Sequence, residues 1–107
     1  MTEFQSRLFD IIPTGEDSAI HVEELAQIFN VNERDVRLNI EQIRCGGKTI
    51  ISSKKGYFKP ETEDEIERFV RREFKRYNAI ERRTMSARLL LRELREIDEL
   101  SGGDIST

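Results

Sequence analysis

The sequence predicts a mainly α protein with one small β-hairpin, followed by a long C-terminal helix. Three observations predict it. Apolar residues recur at helical spacing in three stretches of the first 45 residues; "CGGKTIISSKKGYFKP" (45–60) sets two short strand-like runs around a lysine pair; and no Pro or Gly occurs between residues 61 and 100.

In "EFQSRLFDII", Phe4, Leu8, Ile11 and Ile12 fall at helical spacing, and Pro13 and Gly15 of "PTGED" end the segment. The short "AIHV" can supply one strand. "HVEELAQIF" places Val22, Leu25, Ala26 and Phe29 on one face of a second helix, with Glu23 and Glu24 near its start, where the helix dipole favours acids. Asn30 reads as a left-handed stop and Val31 as a buried turn residue. Asn32 reads as an N-cap whose side-chain oxygen accepts the Asp35 amide, with Asp35 as its capping-box partner. A third helix then spans 33–44, its inner face formed by Val36, Ile40 and Ile43. At 100° per residue, its outward arc holds Arg34, Leu38, Glu41 and Cys45, flanked by Arg37 and Gln42.

The junction between the second and third helices fits a helix-turn-helix. Ala26 is small enough for a close crossing, "NVN" is a three-residue turn, and Val31 is its apolar plug. "CGG" ends the third helix, and a hairpin over 48–59 follows: the β-branched "KTIIS", the turn "SKKG", and "YFK" before Pro60 prevents further pairing. Tyr57 and Phe58 alternate faces, so one belongs to the core and the other covers the hairpin. Beside a recognition helix such a hairpin is a wing, and Lys54 and Lys55 at its tip act as point charges on phosphate.

Charge distribution agrees with this better than net charge does. The chain carries −3 overall, yet residues 31–60 hold seven Lys/Arg against three acids, and 68–95 hold ten against three. Residues 1–30, with one Arg against six acids, and 61–67, with five acids and no base, are acidic. The average conceals two basic segments.

The order of elements through residue 60 resembles the winged helix-turn-helix domains of bacterial and phage regulators. "ELAQIFNVNERDVRLNIEQIR" is similar to the helix-turn-helix of the biotin operon repressor and deoxyribonucleoside regulator families, and "TIISSKKGYFKP" to the wing of the biotin repressor type. The resemblance implies that Arg34, Arg37, Leu38 and Gln42 occupy recognition-helix surface positions and that Lys54 and Lys55 form the wing tip. The candidate DNA-contacting set is therefore Asn32, Arg34, Arg37, Leu38, Glu41, Gln42, Lys54 and Lys55. Asp35 and Glu41 depart from the usual basic or hydroxyl-bearing face. Glu41 either accepts from a cytosine amino group, or orients Arg37 four residues earlier, or marks a face that does not touch DNA.

The last third is a different kind of sequence. Thr62 and Glu65 form a capping-box pattern, and acids crowd the first turn. From there one helix can run to Leu100, about 58 Å if continuous. Its heptad positions are Ile66, Val70, Glu73, Tyr77, Ile80, Thr84, Ala87, Leu91 and Leu94, and Phe69, Phe74, Leu90 and Ile97 widen the stripe. Tyr77, Ile80, Ala87, Leu90, Leu91, Leu94 and Ile97 are the candidate oligomerisation residues. A parallel pair sets Arg83 against Arg88 of its partner; antiparallel pairing, or a bend near "RYNAI" or "RTMS", avoids that. Alternatively Ile66, Phe69 and Val70 pack back on the first domain, and only the second half associates. Small proteins joining such a domain to one long charged helix resemble those of prophages.

The expected organisation is a winged helix-turn-helix domain at 1–60, an oligomerisation helix at 61–100 and a disordered tail, "SGGDIST", at 101–107. With one Cys (Cys45) and one His (His21), no internal disulfide or four-ligand zinc site can form. His21 reads as a helix-start residue and Cys45 as a helix-end residue, with a disulfide across a dimer left open. No metal, cofactor or enzymatic activity is expected. No apolar run spans a membrane, and "MTEFQSRLFD" lacks the layout of a signal peptide, so a cytoplasmic protein is expected. The expected partners are double-stranded DNA and further copies of the chain. The expected role is a small dimeric transcriptional regulator or a phage or mobile-element DNA-binding protein. The other class is a non-enzymatic assembly adaptor that uses both elements to bind proteins.

Overall fold

The computed structural model describes residues 1–102. Helix accounts for 71% of it and the β content is one antiparallel hairpin, so the chain is mainly α, with a long C-terminal helix. It divides into two compact units, Met1–Phe69 and a second beginning at Val70.

Helix α1 (Glu3–Ile11) opens with a capping box: the Gln5 amide donates to Thr2 Oγ1 at 3.1 Å and the Thr2 amide to Gln5 Oε1 at 3.2 Å. Its inner face is Gln5, Leu8 and Ile12. Ile11, expected on that face, is 40% exposed, because it lies roughly 90° around the helix from the middle of the three. The predicted strand at "AIHV" reduces to a single bridge. Ile20 exchanges two backbone hydrogen bonds with Tyr57, of 2.9 and 2.7 Å, but a 3-10 turn (Glu16–Ser18) precedes it and a helix follows two residues later, leaving no length for a strand.

Helix α2 (Val22–Phe29) ends at Asn30, whose φ of 54° and ψ of 48° are left-handed, as the sequence predicts. Val31 is half-buried against the core, and Asn32 Oδ1 accepts from the Asp35 amide at 2.7 Å to start α3 (Glu33–Cys45). Only the Asn32 half of the capping box is made among the described residues. At the other end of α3, the Gly47 amide donates to Arg44 O and the Lys48 amide to Ile43 O, with Gly47 at φ +98°. This is a Schellman stop, and it explains the Gly-Gly pair.

Strands β1 (Ile51–Ser53) and β2 (Gly56–Phe58) pair with Ile51 opposite Phe58 and Ser53 opposite Gly56, so Lys54 and Lys55 alone form the loop. The strands are shorter than the predicted 48–59 span, because Lys48 and Thr49 are consumed in leaving the helix. Phe58 is the core member of the aromatic pair and Tyr57 is half-buried. Gly56 sits at φ +120°, and a β-carbon there would collide with the Ile20 carbonyl. Gly56→Ala is therefore expected to destabilise the first unit by about 2 kcal/mol or more, measured by denaturant unfolding. An unchanged midpoint would show that Ile20 yields freely.

The first unit closes around Leu8, Ile12, Leu25, Ala26, Val36, Ile40, Ile43 and Ile50. The predicted inner face of the third helix is fully buried, and Ala26 is buried in the same cluster. Phe4 and Phe29 add an edge-to-face contact of 5.3 Å.

Helix α4 (Glu63–Ile97) is uninterrupted for 35 residues, about 52 Å. The predicted cap is formed: the Glu65 amide donates to Thr62 Oγ1, and Glu65 Oε1 accepts from the Thr62 amide, both at 3.2 Å. Glu65 also accepts from the Glu61 amide at 2.7 Å and from the Glu16 amide at 2.9 Å. Arg68 continues the link, bonding Asp64 at 2.9 Å and reaching Glu16 at 3.4 Å. These backbone donors, that of Glu16 above all, hold the Glu65 carboxyl below its ordinary value of 4.5. A depressed folded-state value means stability that is complete well above pH 4.5 and is lost as pH falls through the folded value. The melting-temperature gap between the native chain and Glu65→Gln is thus expected to narrow as pH is lowered from 7 through 4.5 and below. A gap independent of pH would remove this link.

Ile66, read as a candidate to pack back on the first domain, remains 45% exposed and Phe69 is half-buried, while Val70 begins the second unit. No residue of α4 is buried. A π-helical turn (Asp98–Gly102) follows, covering the start of the segment expected to be a disordered tail, and residues 103–107 of that segment lie outside the described residues.

Candidate nucleic-acid interface

The outward surface of α3 follows from its inner one. Burying Val36, Ile40 and Ile43 turns Arg34, Arg37, Leu38, Glu41 and Cys45 to solvent, all exposed. Leu38, 55% exposed, stands near the middle of that arc with Arg34 one turn before it. Arg34 has no ion-pair partner among the described residues. Arg37 reaches Glu33 at 3.2 Å, a surface pair within one helix that contributes little to stability and leaves the guanidinium accessible.

Glu41 does not orient Arg37. Its carboxylate lies 3.2 Å from Arg44 Nη1, on the side of the helix that carries the hairpin. Arg44 in turn donates from Nε to the Ile50 carbonyl at 2.8 Å, and its guanidinium stands 5.8 Å from the centre of the Tyr57 ring. One side chain thus ties the end of α3 to both sides of the hairpin, and Glu41 answers its charge. Spacing explains the exchange of partners: the i,i+3 step from Glu41 leads to Arg44, while Glu33 already occupies the i−4 position of Arg37.

Gln42 and Asn39 lie on the opposite flank, toward α1. Gln5 Nε2 donates to Gln42 Oε1 at 2.7 Å and to Asn39 Oδ1 at 3.0 Å. Gln5 is the one buried polar residue among those described, and these bonds satisfy it. Gln42 therefore spends its carbonyl on the fold, and Asn32 spends its side-chain oxygen on the cap. Neither holds that acceptor free for a base.

The hairpin tip separates the two lysines. Lys55 Nζ lies 3.0 Å from Asp17 of the 3-10 turn, and this hydrogen-bonded carboxylate raises the lysine above its ordinary value of 10.5. Lys54 is exposed and has no ion-pair partner among the described residues. The paired lysine presents a nearly neutral dipole and its neighbour a full charge.

In the second unit every sequence-designated association residue is exposed: Tyr77, Ile80, Ala87, Leu90, Leu91, Leu94 and Ile97. Of the basic band at 68–76, Arg68 is held by Asp64 and Glu16, and Arg76 stands 3.8 Å from Glu73. His21 precedes α2 without a side-chain cap bond, and Cys45, exposed, is the last residue of α3. Among the described residues no three His, Cys, Asp or Glu side chains come together as a metal site, and no helix is long and apolar enough to cross a membrane.

Sequence reasoning missed Gln5, Arg44 and Asp17. The "TEFQ" spacing is itself a capping-box signal that could have exposed the first. Arg44 holds the Ile50 carbonyl and the Tyr57 ring, and Asp17 holds Lys55, contacts beyond a single helix that follow no local pattern; the i,i+3 pair of Arg44 with Glu41 was the one local signal. No family model, no curated protein and no solved structure matches the chain.

Proposed function

We propose that the chain is a sequence-specific DNA-binding protein of winged helix-turn-helix type: a small regulator or mobile-element protein that binds duplex DNA and assembles through α4. Helix α3 enters the major groove with Arg34 and Arg37, the hairpin tip meets phosphate with Lys54, and Leu38 supplies an apolar contact of the kind a thymine methyl accepts. The observation that carries the reading is the exposed Arg34–Arg37–Leu38 surface on a helix whose end is bonded by Arg44 to a lysine-tipped hairpin. Glu41 is compatible with it because Arg44 compensates its charge.

Selection from a random duplex pool tests this directly. Recovery of a motif is expected, and affinity for it is expected to fall steeply with salt as counterions are released. Lys54→Ala is expected to reduce the salt slope by about one and Lys55→Ala by less, because Asp17 already balances Lys55. Absence of binding at low salt overturns the proposal.

Protein docking is the second reading, favoured by a different observation. Ile11 and Ile28, both exposed, border with Phe29, Arg7 and Asp10 a shallow groove of about 390 Å³ between α1 and α2. A pool that yields no motif, together with an intact assembly, supports this use.

A further inference from the structure

The second unit leaves a helix face uncovered whose two ends carry opposite charge. Residues 70–83 hold six Arg/Lys against two Glu, and residues 93–99 hold four acids against one Arg. Tyr77 and Ile80 within the basic end, Leu90 and Leu91 between the two ends, and Leu94 and Ile97 within the acidic end are about half exposed along one uninterrupted helix. An apolar stripe of this length on an isolated helix calls for an apolar partner.

We propose that this face pairs with the same face of a second copy running antiparallel. The inference rests on the assembly role given to α4 above and specifies its orientation. A parallel pair lays basic end beside basic end and acidic beside acidic, and it sets Arg83 against Arg88. Because α4 passes through "RYNAI" and "RTMS" without interruption, no break there relieves that repulsion. Reversing one copy places the basic end along the acidic end.

The same reversal suits the seam. Thr84 meets Ala87 at the centre, small against small, and Ile80 meets Leu91 and Tyr77 meets Leu94 on either side. Arg83 then faces Leu90 instead of an arginine. Glu81 and Arg88, already 3.4 Å apart within one helix, can exchange partners across the pair. Glu73 meets Asp98 at the solvated end of the seam, with Arg76 of its own helix 3.8 Å away; in a parallel pair it meets Glu73 itself.

Distances between spin labels in the full chain decide the matter, with Cys45→Ser removing the native thiol. A label at Lys75→Cys lies opposite residue 96 of an antiparallel partner, about 31 Å along the axis from its mate, so with the width of the pair added the two labels are expected about 35 Å apart or more. A label at Ser86→Cys, next to the two-fold axis, is expected within about 20 Å of its mate. Short separations at both sites in a dimer overturn the antiparallel orientation while leaving assembly intact. Long separations at both place the contact elsewhere and overturn it too. A monomer by light scattering removes the assembly role and this inference together.

Discussion

Leu91→Asp is expected to turn the assembled protein into monomers at concentrations where the native chain is associated. Leu91 is exposed on the lone helix, so the substitution costs the monomer little, and helicity of α4 by circular dichroism is expected to change only slightly. In the associated state each copy would bury an unpaired carboxylate at the seam, and a cost of about 3 kcal/mol corresponds to a dissociation constant weakened by about 100-fold or more. Light scattering across a dilution series measures this. Leu89→Asp is the control, because Leu89 lies outside the stripe despite being exposed. Equal loss with both, or with neither, would falsify the assignment of the face.

Arg34→Ala combined with Arg37→Ala is expected to weaken binding to the selected duplex by about 100-fold or more, from roughly 1–3 kcal/mol for each arginine that reads a base edge. Removing Arg37 also releases Glu33 from its ion pair and leaves a carboxylate beside the DNA, which adds to the loss. Both side chains are exposed, so the unfolding free energy is expected to stay within about 0.5 kcal/mol of the native value. Fluorescence anisotropy with the selected sequence and a scrambled one separates the two effects: base reading lowers the ratio between them, whereas phosphate contact lowers both alike. Unchanged affinity for both duplexes rules out α3 as the contacting helix.

Much of the fold was legible because it is dictated locally. Val36, Ile40 and Ile43 recur at helical spacing, Asn30 tolerates the left-handed conformation, and the Asn32 and Thr62 caps act within three residues, so their outcome does not depend on the rest of the chain. Ile11 and "AIHV" depart from what local spacing predicts for the opposite reason. Which edge of α1 faces inward depends on the arrangement of α2 and α3, and whether Ile20 extends into a strand depends on how soon α2 starts beside β2. The candidate surface divides in the same way. Exposure of Arg34, Arg37 and Leu38 follows from period alone, whereas the roles of Glu41, Gln42 and Lys55 are set by Arg44, Gln5 and Asp17.

The sequence by itself determined the helices and the hairpin, their caps, the basic islands and the apolar stripe of α4, since each arises from neighbours within a few residues whose spacing is fixed by backbone geometry. Only the tertiary structure decided which polar side chains remain available. Gln42 is tied to Gln5, Lys55 to Asp17, and Arg44, the i,i+3 partner of Glu41, to the hairpin, because hydrogen bonds and ion pairs form between groups the fold brings within about 3 Å, and separation along the chain does not reveal that distance.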